Sequence, residues 1–191
     1  MLTSTRELLE KAQRYSYAVG AFNLYNLEGA KAVVNAAEAD RSPAIIQILP
    51  HILKYGGRPL IALFLEAADS ARVPMSVHLD HCEEADIVEM SLDAGIQSVL
   101  ADGSKFSYEE NIAFTRDMTK LAHAKGATVE AEIGRISGTE DGMTVAEKEA
   151  KMTDPDQARE FVAATQVDFL AVTIGNVHGQ YYSEPRLDFD R

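Results

Sequence analysis

Six short apolar runs recur along this chain, and each is followed by a stretch that reads as a helix or a polar connection. The runs are 17–22 (YAVGAF), 42–49 (SPAIIQIL), 73–79 (VPMSVHL), 96–101 (IQSVLA), 127–134 (ATVEAEIG) and 168–175 (DFLAVTIG). They repeat at intervals of roughly 25–35 residues, the length of a βα unit. Continuous apolar runs are the mark of parallel strands covered on both faces. Helical periodicity fits residues 2–15, 26–40, 58–71, 83–94, 108–125 and 154–166. Gly126 reads as a C-terminal cap, and Asp154-Pro155 as an N-cap followed by proline at the first helical position. The expected fold is therefore α/β, either a doubly wound sheet or a (β/α)8 barrel.

Two features favour the barrel. The first strand is followed by FNLYN, with no Gly-x-Gly-x-x-Gly turn for a dinucleotide. Polar and charged residues follow several different strands: Asn23, Asp80, His81, Asp102, Glu132 and His178. Functional groups spread over the C-terminal ends of many strands are the pattern of a barrel. A full barrel needs eight strands and typically about 250 residues. The expectation is thus one barrel domain over 1–191, represented by about six of its βα units, with the remainder beyond Arg191.

Composition narrows the function. The net charge of −12 disfavours nucleic acid and anionic membranes as partners, since both are held mainly by Lys and Arg. An anionic small substrate stays open, because a metal ion or helix N-termini supply local positive potential. No apolar run reaches the roughly 18 residues of a membrane span, and the polar N-terminus lacks a signal-peptide core. A single cysteine allows no intramolecular disulfide, so a cytoplasmic location is expected.

The most crowded chemistry lies in VPMSVHLDHCEEAD (73–86). Strand alternation puts His78 and Asp80 on one face and His81 on the other, unless the chain turns and swings His81 over the barrel mouth. The plain alternative is a polar strand end leading into an acidic helix N-terminus. Glu130 and Glu132 share a face of the fifth strand, where unpaired burial would be costly; a metal or a basic partner would compensate, and the alternative is that one of them faces solvent near the strand end. Asp102 ends the fourth strand, with an Asp-Gly turn as its competing reading. His178 follows the sixth strand and pairs with His81 as a candidate zinc ligand across the mouth, with Glu132 or a residue beyond the end as the third. Glu140 and Asp141 lie in an irregular 135–153 connection whose ordinary reading is a solvated acidic loop; the flanking Gly138 and Gly142 are compatible with a mobile lid that delivers an acid or base. His51 reads as part of a polar connection, His123 as a solvated helix residue and Cys82 as structural.

The stretches YAVGAFNLYNLEGAKAVVNAAEADRSPAIIQI, VPMSVHLDHCEEAD, SVLADGS, VEAEIGRISGTEDG and AVTIGNVHGQY also occur together, and in this order, in a known family. The chain resembles the class II, zinc-dependent ketose-bisphosphate aldolases, the fructose- and tagatose-bisphosphate aldolase group. The form GRISGTEDG resembles the tagatose-type branch. The resemblance implies a (β/α)8 barrel, assembled as a homodimer or homotetramer. It implies a lyase of carbohydrate metabolism that reversibly cleaves a ketose 1,6-bisphosphate to glycerone phosphate and glyceraldehyde 3-phosphate. It implies Zn2+ as cofactor and a monovalent cation such as Na+ or K+. His81 and His178 would be zinc ligands, with Glu132 and Asp102 at an alternate or auxiliary metal position. Asp80 would move the proton of the C4 hydroxyl, and Glu140 would transfer a proton at the enediolate carbon. Asn23 and Gly179 would lie against the substrate.

Three departures accompany the resemblance. The family's third zinc histidine lies in a later HGGSG-like segment. Leu49 stands where the family often has Ser, and Tyr182 where it often has Lys. A truncated or degenerate relative without catalytic activity is the alternative. A metal-dependent hydrolase would carry His-x-His on its first strand, and AVGAFN does not.

Overall fold

A computed structural model describes residues 1–134, 137–140, 143–145, 152–179, 181, 184 and 186–191; for 137–140 and 143–145 the description is of the backbone. The chain order is α1 (Thr5–Tyr15), β1 (Gly20–Asn23), α2 (Leu27–Asp40), β2 (Ala44–Ile48), α3 (Pro50–Ser70), β3 (Met75–Cys82), α4 (Ala85–Asp93), β4 (Ser98–Ala101) and α5 (Tyr108–Ala124). It continues with β5 (Thr128–Ile133), β6 (Ser137–Glu140), β7 (Met143–Val145), α6 (Pro155–Thr165), β8 (Phe169–Val172) and β9 (Val177–His178).

Six strands form one sheet in the order β1-β2-β3-β4-β5-β8, with every neighbouring pair parallel. Spatial order follows chain order, which is the winding of a barrel wall and not of a doubly wound sheet. The expected six-unit α/β barrel section is what the structure contains.

The sheet has two chemically distinct faces. Ile46, Ile48, Val77, Leu79, Val99, Ala101, Val129 and Ala131 are buried in one apolar core with Leu53, Phe64, Val88 and Phe161 of the helices. The alternate positions are largely polar: Gln47, Ser76, His78, Asp80, Ser98, Thr128, Glu130 and Glu132. A period of two along each strand forces this division. The apolar runs in the sequence conceal it, because these polar residues interrupt them singly.

Local signals set the helix ends. Ser107 and Glu110 form a reciprocal capping box at α5. Asp154 accepts from the Asp156 and Gln157 N–H groups at α6, as the sequence predicts. α1 lies at the N-terminal end of β3, where Thr5 donates its hydroxyl to Ser76 Oγ at 3.0 Å.

Three expectations need correction. α3 begins at Pro50 rather than residue 58, so His51 belongs to its first turn and not to a connection. Its two halves meet at Gly57, whose φ of 56° and ψ of −158° are non-helical, and Pro59 then opens the second half without needing an N–H donor. β3 runs on to Cys82 and so includes Asp80 and His81. The 135–153 stretch is not wholly irregular: β6 and β7 pair antiparallel, and β6 pairs parallel with β9. Among the described residues no helix is long and apolar enough to cross a membrane.

Candidate metal centre

The C-terminal end of β3 departs from regular pairing. Leu79 faces Val99 and Cys82 faces Ala101, so three β3 steps match two on β4. The surplus residue is absorbed where His81 adopts φ 37°, a left-handed conformation unusual for a residue with a side chain. A bulge re-aims the side chain that carries it. His81 therefore turns toward the carboxylates of the neighbouring strands, against the simple alternation that would direct it outward.

Its ring meets two of them. His81 Nδ1 lies 2.7 Å from Asp102 Oδ2 and 3.9 Å from Glu132 Oε2. Asp102 directly follows β4, and its Oδ1 accepts from the Ser104 N–H at 2.9 Å, fixing the carboxylate in the turn. Glu132 is the penultimate residue of β5, 4% exposed, and its Oε2 has no hydrogen-bond partner. One ligand atom from each of His81, Asp102 and Glu132 falls within 4.8 Å of the others. The His178 ring, on β9, sits edge-on to His81 with centroids 5.6 Å apart. The two histidines singled out from sequence are thus neighbours.

The electrostatics fit a cation. Burial alone would lower the His81 pKa, but the Asp102 hydrogen bond and the charges of Asp80, Asp102 and Glu132 raise it to about 9. Burial and the Asp102 charge push Glu132 up to about 7, against the pull of His81. Asp102 is held below its usual range: burial opposes this, but the His81 bond and charge and the Ser104 N–H prevail. The His81 shift answers the surrounding negative charge, and the Glu132 shift answers first its burial and then the Asp102 charge. A divalent ion would offset that charge without protonating either group.

Asp80 is positioned differently. Its Oδ2 accepts from Asn23 Nδ2 at 3.0 Å and its Oδ1 from Gln47 Nε2 at 3.1 Å. Two amides from two strands thus clamp both oxygens. Asn23 Oδ1 is buried without a partner, which leaves an acceptor on the β1 side of the carboxylate. Gln47 carried no functional reading in the sequence, although a lone amide inside AIIQI was a visible signal.

Other candidates separate. His78 is one layer below: Nδ1 is 2.8 Å from Ser98 Oγ, and Nε2 is 3.6 Å from Glu130 Oε2. It belongs with the strand interior rather than with His81. Cys82 is fully buried, and burial raises its thiol to about 11, in keeping with a structural role. His123 is not merely solvated, since its Nε2 lies 3.0 Å from Asp168 Oδ2. Glu140 ends β6, the strand that pairs with the His178 strand, and its side chain lies outside the described residues, as do Asp141 and Tyr182. Gly179 follows His178 at φ 82°, a conformation natural to glycine.

Comparison with known proteins agrees with this architecture. The family described as Fructose-bisphosphate aldolase class-II matches residues 3–191. The D-tagatose-1,6-bisphosphate aldolase subunit GatY of Klebsiella oxytoca is 44% identical over 189 residues, covering 98% of this chain and 66% of that protein. A crystal structure from Coccidioides immitis superposes with a TM-score of 0.90 at 38% identity, over 98% of this chain and 66% of that one. The YdjI aldolase of Escherichia coli K12 gives a TM-score of 0.86 at 36% identity, over 100% of this chain and 67% of that one. The chain therefore spans about two thirds of the length of these relatives.

Proposed function

We propose, from the premise that this chain belongs to the class II fructose-bisphosphate aldolase family, that it carries the metal and proton-transfer centre of a zinc-dependent ketose-bisphosphate aldolase. The reaction is reversible cleavage of fructose or tagatose 1,6-bisphosphate to glycerone phosphate and glyceraldehyde 3-phosphate. The observation that carries this reading is the convergence of His81, Asp102 and Glu132 beside the amide-clamped Asp80.

The donor set suits zinc. An imidazole and two carboxylates offer the N and O ligands this ion takes, and the unpartnered buried Glu132 oxygen is an acceptor awaiting one. His81, His178, Glu132 and Asp102 are the residues that would hold it. Bound there, zinc would act as a Lewis acid for negative charge developing on substrate oxygen. Asp102, through Nδ1, fixes the orientation of the His81 ring.

Cleavage of the C3–C4 bond requires loss of the C4 hydroxyl proton. Asp80 would take it, a reading supported by the Asn23 and Gln47 amides, which hold its oxygens in one orientation. In the aldol direction the same carboxyl returns the proton. Asn23 Oδ1 would accept from a substrate hydroxyl. Glu140, at the end of the strand β6 that pairs with the His178 strand, would transfer the proton at the enediolate carbon. Gly179 offers a backbone without a side chain beside His178, suited to close approach of a phosphate or a monovalent cation. The barrel domain would act as a cytoplasmic homodimer or homotetramer.

A coupled assay tests this reading. Fructose and tagatose bisphosphates are offered to the protein before chelation, after chelation and after zinc is restored. Cleavage lost with chelator and regained with zinc is expected. Undiminished cleavage in metal-depleted protein would sink it. Zinc binding without cleavage of either sugar would favour a non-catalytic relative.

A further inference from the structure

We infer that Asn111 is a positioning residue that sets the separation of the Asp102 and Glu132 carboxylates. The inference rests on the reading of His81, Asp102 and Glu132 as a divalent-metal centre. Asn111 lies one turn into α5, outside the sheet, and is 4% exposed. It touches neither carboxylate, yet it contacts the backbone beside both.

On the β5 side, Asn111 Nδ2 donates to the carbonyl oxygen of Glu132 itself at 2.9 Å. A carbonyl can only accept, so the amide nitrogen must face it and the amide oxygen must point away. That oxygen accepts from Thr115 Oγ1 at 2.9 Å, which fixes the orientation of the amide. Thr115 is fully buried, and its own carbonyl accepts from Thr119 Oγ1 at 2.8 Å. The amide thus stands on a satisfied polar ladder one helical turn apart at each step.

On the β4 side, Gly103 directly follows Asp102 and packs against the same residue. A Cβ on Gly103 would overlap Asn111 Oδ1 and would come within 2.8 Å of Cγ and 3.1 Å of the Asn111 Cα. Gly103 has no positive φ, so the contact rather than the backbone conformation demands glycine. One amide is therefore in contact with the backbone adjoining Asp102 and hydrogen-bonded to that of Glu132. Their carboxylates both lie within 4 Å of His81 Nδ1. Removing the amide would leave the Glu132 carbonyl without its donor and open space behind the Asp102 turn. Both effects act on the ligands' spacing, not on their identity.

The test is titration of the metal-free 191-residue protein with Zn2+ against a competing chelating dye, with the Co2+ absorption spectrum as a second readout. Asn111→Ala is expected to weaken Zn2+ about 10- to 100-fold and to alter the Co2+ bands, as changes behind metal ligands do. Gly103→Ala presses on the same contact from the other side and is expected to weaken Zn2+ as well. In the double variant the added methyl no longer meets the amide and keeps only its 3.1 Å approach to the residue-111 Cα, so the combined loss should be smaller than the sum of the two single losses. Thr115→Val, which removes only the hydroxyl fixing the amide, should give a smaller loss and keeps the test open if Asn111→Ala does not fold. Folded variants with parent-like affinity and Co2+ bands would overturn the inference, and so would losses that simply add in the double variant. A parent protein that binds neither ion would instead overturn the metal-centre reading on which the inference rests.

Discussion

His81 Nδ1 and Asp102 Oδ2 are 2.7 Å apart, joining the bulged end of β3 to the turn after β4. This one bond occupies one ring nitrogen and leaves the other for a ligand. It also holds the imidazole against a third group, Glu132, whose buried oxygen lacks a partner. The left-handed backbone at His81 is the local cost of that arrangement, on the order of 1 kcal/mol.

His81→Ala should remove the metal. The remaining carboxylates would lose their only nitrogen partner on β3, and Zn2+ affinity should fall at least about 100-fold. Metal analysis after gel filtration checks this, and zinc retained at parent stoichiometry would count against the ligand assignment.

Asp80→Ala should leave zinc in place and cut cleavage by about 10²- to 10⁴-fold, the range for loss of a positioned acid–base group. Gln47→Leu, which removes one of the two amides holding Asp80, should lower kcat by less while retaining zinc. Steady-state rates measured beside zinc content separate the two effects. A parent-like rate in Asp80→Ala would exclude it as the proton acceptor.

The metal-free protein should lose stability as pH rises. Glu132 is raised from 4.5 to about 7 and His81 from 6.5 to about 9 on folding. A group with a raised folded pKa contributes fully below its unfolded value, and that contribution is lost as pH rises through the folded one. The loss therefore spans pH 4.5 to about 7 for Glu132 and 6.5 to about 9 for His81. Each loss is on the order of 3 kcal/mol, so the two together are at most roughly 7 kcal/mol. Thermal melts in chelator across this range should show a falling Tm. Glu132→Gln should flatten the lower part of the decline. A Tm that rises between pH 5 and pH 9, roughly, would contradict the sign.

Asp168 should prove a structural anchor. It accepts from the Val129 N–H at 2.7 Å, faces His123 Nε2 at 3.0 Å and pairs with Arg6, so it ties α1, α5 and β5 together. Burial opposes its ionisation, but these three partners hold its pKa below the ordinary range. Its contribution is present above that ordinary range and is lost as pH falls through the lowered value. Asp168→Ala should cost about 1–3 kcal/mol in denaturant unfolding without changing zinc affinity. A neutral effect on the unfolding midpoint would show that the network carries little.

Much of this was legible in the residues. The six apolar runs mark the six parallel strands, and the HLDHC segment marks the end of β3 where the cluster lies. Alternation alone would turn His81 away from the site. Only the bulge between Leu79 and Cys82 brings it in, and a bulge leaves no periodicity to read. The β6–β7 pairing leaves no apolar pattern in the sequence, because these short strands pair with each other and, through β6, with β9. Gln47 and Asn111 give no sequence pattern of their roles, for a related reason. Each is a single amide in an otherwise ordinary element, and its meaning lies in contacts made across 33 and 21 residues of sequence.

The most direct test of the metal centre is Co2+ titration of the metal-free protein and of His81→Ala and Glu132→Gln, followed by visible absorption. The account predicts one Co2+ per chain in the parent, with bands abolished in His81→Ala and altered in Glu132→Gln. No bound Co2+ in the parent, or the same spectrum in all three proteins, would contradict it.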